Sequence, residues 1–233
     1  MDMTKEKASV EKEEIIKGTS WEPVIFVGYL AILFGAASIR DFFVIPFVTH
    51  SLVGITAAFV EPLYKLLFWI VPTFLYIKYV LNANPLTYLK LTVNVRRGIS
   101  WGGVVGVLLF LFLVLPTTLL HRELPHFALS FDDWLNKFLF VGILEEIPFR
   151  GLVFQRLQSR LGFWQAALIS SLLFTAIHIP LWLSKGDVLI PNDVLPLLTI
   201  FLLAVGLCYL FKRTGSLWSC ILVHSFYDLS TFR

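Results

Sequence analysis

The stretch GISWGGVVGVLLFLFLVLPTTL, residues 98–119, contains no ionisable side chain. A helix needs about 20 such residues to cross a hydrocarbon core of ~30 Å, so this run predicts a transmembrane helix. Comparable runs lie on either side of it, near 22–39, 42–60 and 62–80, and near 134–155, 163–181, 194–211 and 216–231. The expected fold is therefore an all-α polytopic transmembrane bundle of about eight helices. Composition agrees: 57% of residues are apolar and 15% charged, with a mean hydropathy of +0.78, well outside the soluble range. The net charge of +3 gives no nucleic-acid footprint.

Residues 1–20 mix lysine with glutamate and lack the apolar core of a signal peptide, so they read as a solvated polar tail. Residues 21–233 read as one transmembrane domain without an internal repeat. Polar breaks fall at Arg40-Asp41, 82–98, 121–133, 155–162, 184–193 and 212–216. The breaks at 82–98, 155–162 and 212–216 are basic, and the positive-inside rule places them in the cytoplasm, with 121–133 and 184–193 facing away. Eight spans then put both termini outside, whereas the four lysines of the tail argue for the opposite orientation. The short Arg40-Asp41 break also allows one crossing fewer within 22–60. Trp21, Trp69, Trp101, Trp134, Trp182 and Trp218 fall near expected helix ends and suit an interfacial belt. Gly102, Gly103 and Gly106 suit close helix packing. Cys208 and Cys220 lie in apolar runs and read as inert packing residues.

Ionisable groups inside apolar segments are the informative exceptions, because burying one costs about 2.5–3.5 kcal/mol on insertion scales. The stretch GILEEIPFRGLVF, 142–154, holds three. Glu146 and Arg150 are four residues apart and share a helix face, so they are expected to pair. Glu145 is rotated about 100° away, and Pro148 is expected to kink the helix beside it. His178 lies near the end of its helix, and His224 and Asp228 stand one turn apart on the last helix. A packing strut with satisfied histidines is one reading of these groups. Water activation, with a base, an imidazole and oxyanion donors, is the other. His50, His121 and His126 sit at loop edges and read as solvated, and Asp132 and Asp133 suit a helix start.

The sequence resembles the CAAX-protease and bacteriocin-processing family of intramembrane proteases, also called the abortive-infection family, which includes the type II CAAX prenyl endopeptidases. EEIPFR matches its EExxxR motif, FTAIH its FxxxH motif and HSFYD its HxxxN or HxxxD motif, in order, and GSLWSCILVH matches its run of small and apolar residues. The likeness covers residues 134–231. It implies an endopeptidase acting on prenylated CAAX-type or other membrane-associated peptides. Glu145 would be the catalytic glutamate, with His178 joining it in activating a water. Glu146 and Arg150 would support the site, and His224 with residue 228 would stabilise the oxyanion. Aspartate replaces the asparagine of the prenyl endopeptidases at 228. An ionised Asp228 would repel an oxyanion, so it is expected to orient the His224 tautomer.

The partners implied are membrane lipids and a peptide or membrane-protein substrate, in the cell membrane if the source is prokaryotic. The resemblance implies a metal-free site. Glu145, His178, His224 and Asp228 nonetheless form a possible zinc ligand set. Two other classes stand beside the enzyme: a proton-coupled transporter, in which buried Glu and His relay protons, and a catalytically silent immunity protein. Hydrolysis needs water at depth, so a conical cavity is expected among the last four helices, opening near 184–193.

Overall fold

Proline and glycine stand at several of the helix boundaries. The computed structural model describes residues 21–51, 55–121, 134–186 and 191–231, and among these all regular structure is helical. Eight helices follow in order: α1 (Glu22–Ser51), α2 (residues 55–80), the one-turn α3 (Pro85–Tyr88), α4 (Val95–His121), α5 (residues 134–158), α6 (Phe163–Lys185), α7 (Pro191–Thr214) and α8 (Trp218–Ser230). Pro23 stands in the first turn of α1, and Asn84 caps α3 by accepting from the Thr87 amide at 3.2 Å. Gly186 and Gly215 end α6 and α7 in left-handed conformations (φ +76° and +66°) that only glycine adopts cheaply.

Among the described residues, five helices, α1, α2, α4, α6 and α7, contain segments long and apolar enough to cross a membrane. The expected spans 22–39 and 42–60 are not separate. Helix α1 runs without interruption through Arg40 and Asp41, whose side chains are buried. These charges find partners inside the protein, so the helix need not break there. Trp69 also departs from expectation: it is 1% exposed and packed in the interior, not at a belt. His50 is exposed, while the side chain of His121 and residues His126, Asp132 and Asp133 lie outside the described residues.

Membrane helices gain little from hydrophobic contact with one another, so close approach of small residues decides their packing. Helix α8 lies along α4, where a Cβ at Gly102 would come within 2.8 Å of the Ser219 Cα and one at Gly106 within 2.4 Å of the Phe226 ring. Gly103 faces open space, and Gly98, against Ser216, takes its place in the contact. Gly142 brings α5 onto the Ile221 carbonyl of α8. Helix α5 touches α2, α6, α7 and α8, and every residue from 144 to 154 is buried. Glu145, Glu146 and Arg150, within that stretch, are therefore enclosed by protein.

The basic breaks gather at one end. Leu217 N donates to Lys90 O at 3.2 Å, Trp218 Nε1 to Leu91 O at 2.8 Å and Gln155 Nε2 to Tyr88 O at 2.8 Å. The buried Glu22 belongs to the same end, where it accepts from Tyr76 Oη, Arg156 Nε and Arg160 Nη2. It ties the start of α1 to the end of α5.

Candidate active site

Helical spacing alone places Arg150 over Glu146, and Arg150 Nη1 donates to Glu146 Oε1 at 2.8 Å. The same oxygen lies 2.7 Å from His224 Nδ1. A carboxylate only accepts, so Nδ1 carries the proton. Glu146 thus joins α5 to α8 and fixes the His224 ring. The ring's Nε2 faces Asp228 Oδ2 at 3.6 Å, beyond a normal hydrogen bond. The orienting acceptor expected at Asp228 is therefore supplied by Glu146.

Phe174 of α6 completes this group. Its ring meets those of His178 and His224 edge-on at 5.1 and 5.8 Å, and the Arg150 guanidinium lies 4.1 Å from its centroid, within cation–π range. His178 stands where α6 turns before Pro180, and its Nδ1 donates to the Phe174 carbonyl at 2.9 Å. In the neutral ring this leaves Nε2 as an acceptor.

Glu145 takes a separate set of partners. Lys65 Nζ of α2 donates to Glu145 Oε1 at 2.9 Å and lies 3.2 Å from Glu61. Glu61 is 3.7 Å from Arg40 Nη1, and Arg40 Nε donates to Asp41 Oδ1 at 2.7 Å. Both cations stand over the Trp69 ring, at 5.3 and 5.4 Å. His178 and His224 are within electrostatic range of Glu145. The sequence reading missed Lys65, Glu61, Arg40 and Asp41 as members of this site. The signal was present: Lys65 lies in the apolar run EPLYKLLFWIV, four residues after Glu61.

Among the described residues, no three His, Cys, Asp or Glu side chains come together as a ligand group; the Nδ1 atoms of both histidines bond Phe174 and Glu146, so only their Nε2 atoms could serve as ligands. Cys208 and Cys220 are free and buried, and Cys220 Sγ reaches the Leu207 carbonyl at 3.3 Å.

Exposure is graded across the group. The Glu146 side chain is fully buried, whereas His178 is half-buried and the Asp228 side chain is 22% exposed. Pro148, expected to kink α5, coincides with a change of register: the helix widens to π geometry over Ile147–Phe154.

No curated protein and no solved structure matches the chain. A family model does match, described as type II CAAX prenyl endopeptidase Rce1-like, over residues 125–230. That range holds Glu145, Glu146, Arg150, His178, His224 and Asp228, while Lys65, Glu61, Arg40 and Asp41 lie outside it. Over residues 125–230, somewhat less than half of its length, the chain is similar to the CAAX protease family, and this match supports assigning that segment to it.

Proposed function

We propose that this protein is an intramembrane endopeptidase that hydrolyses prenylated CAAX-type or other membrane-associated peptides by a glutamate-activated water. The five crossing-length helices and the membrane protease family make it an integral membrane protein. The observation that carries the proposal is the convergence of the three motif segments. Glu146 bonds both Arg150 and His224, and Phe174 packs on Arg150, His178 and His224.

In this reading Lys65 balances the charge of Glu145 and occupies Oε1, which leaves Oε2 to take a proton from water. The water oxygen attacks the peptide carbonyl carbon, and the proton then passes to the departing amide nitrogen. His178, accepting through Nε2, helps to hold the water. His224 donates to the oxyanion from Nε2 only when doubly protonated, because Nδ1–H is given to Glu146. Asp228 donates only as the neutral acid; when ionised it holds a protonated His224. The graded exposure supports access from the Asp228 and His178 side.

The test is cleavage of a farnesylated CAAX peptide and of unmodified membrane peptides by purified wild type, Glu145→Ala and chelator-treated protein. Loss in Glu145→Ala alone is the expected result. Loss on chelation with recovery in zinc would replace the mechanism with a metalloprotease. A second reading rests on the ion pairs that link Asp41, Arg40, Glu61, Lys65 and Glu145, all buried except Glu61, because carboxylates held inside membrane helices are the groups a proton relay uses. Glu145-dependent proton flux into liposomes, without cleavage of any peptide, would favour it.

A further inference from the structure

Away from the candidate site, α4, α7 and α8 enclose a cavity of about 640 Å³, a size typical of small-molecule pockets. Its two ends differ chemically. Arg97, in the first turn of α4, and Arg213, in the last turn of α7, line the end where the basic breaks gather, and both are exposed. The Arg213 guanidinium sits 5.6 Å from the Tyr209 ring, and no described carboxylate pairs with either arginine. The walls beyond them are apolar, reaching Leu109 on α4 and Leu203 on α7.

At 1.5 Å per residue, Arg97 to Leu109 spans about 18 Å and Leu203 to Arg213 about 15 Å. Half of a ~30 Å hydrocarbon core is the depth of one leaflet. A cationic mouth over an apolar slot of leaflet depth is complementary to one kind of molecule in a bilayer. Gly206 opens the slot: a Cβ placed there meets nothing within 4 Å.

The geometry points to a binding site for one anionic membrane phospholipid, with the head-group phosphate between Arg97 and Arg213 and an acyl chain along Gly206. Guanidinium groups suit phosphate because their N–H donors form a planar fork. Neither arginine belongs to the candidate active site, so lipid retention reads this slot independently of peptide cleavage.

The experiment is native mass spectrometry of the full chain, delipidated and titrated with phosphatidylglycerol or with phosphatidylcholine of the same chains. The wild type retains phosphatidylglycerol preferentially. Arg97→Gln and Arg213→Gln each weaken it by about fivefold, the factor for one basic group at a membrane surface, and leave phosphatidylcholine unchanged. Gly206→Leu weakens both lipids by filling the slot, and an unchanged thermal transition shows that the variant is folded. Equal retention of the two lipids by the wild type would overturn the proposal, as would a preference that survives the double arginine variant. Competition by inorganic phosphate as effective as that by the lipid would reduce the site to an anion site and overturn it too.

Discussion

Glu145 and Glu146 are adjacent in the chain, yet one bonds to α2 and the other to α5 and α8. Glu145→Gln keeps the shape and removes the base, so cleavage is expected to fall about 10²–10⁴-fold while the protein stays folded. Retained cleavage would assign the base elsewhere. Lys65→Met strips the buried carboxylate of a cation, an uncompensated charge that costs about 3–5 kcal/mol. The double variant Lys65→Met/Glu145→Gln should recover at least ~1 kcal/mol of this loss in a denaturation cycle. Strict additivity would mean that the 2.9 Å pair contributes no coupling. The Glu146–Arg150 pair was legible because helix geometry fixes the contact of residues four apart. Lys65 is 80 residues from Glu145, and no local periodicity reports such a distance. Only its burial cost, the same argument applied to the glutamates, marks it in the sequence.

At the scale of elements, three helices that carry the buried ionisable groups widen to π geometry beside them. The widened segments beside these groups are Arg40–Val44 in α1, Leu66–Ile70 just after Lys65 in α2, and Ile147–Phe154 just after Glu146 in α5, while Tyr76–Val80 in α2 and Trp134–Phe140 in α5 widen with no proline inside them. Pro46, Pro72 and Pro148 lie within or two residues beyond the first three segments, and each lacks the N–H that an α-helical register requires. Local π turns are one way in which membrane helices satisfy the carbonyls that proline frees. This explains why the expected kink at Pro148 emerged as a register change, since hydropathy identifies a span but not its internal register. Glycine contacts give a paired prediction. Gly142→Ala and Gly102→Ala place a Cβ 2.7 Å from the Ile221 carbonyl oxygen and 2.8 Å from the Ser219 Cα and should destabilise by about 1–3 kcal/mol. Gly103→Ala meets nothing within 4 Å and should be neutral or slightly stabilising. Equal thermal shifts for Gly102→Ala and Gly103→Ala would refute the α4–α8 contact.

At the scale of the whole molecule, the family match ends where the partners of its glutamate begin. Residues 125–230 supply Glu145, but Lys65 and the groups behind it come from α1 and α2. Motifs on late helices could point to the matched segment alone; the contribution of the earlier helices arises from tertiary packing. Glu22 separates stability from activity in that packing. It is fully buried, accepts from Tyr76, Arg156 and Arg160, and so fastens α1 and α2 to α5 at the basic end. Glu22 precedes Arg40 by 18 residues, about 27 Å along a helix, so it touches none of the candidate site residues. Glu22→Ala removes the carboxylate from a buried charge cluster and should cost about 3–5 kcal/mol, lowering the denaturation midpoint in detergent. Below that midpoint, the cleavage rate per folded molecule should match the wild type, whereas Lys65→Met should lose rate as well as stability. A Glu22→Ala protein that is folded but inactive would show that the clamp at the basic end sets the geometry around Glu145, and the two ends of the bundle would then act as one unit.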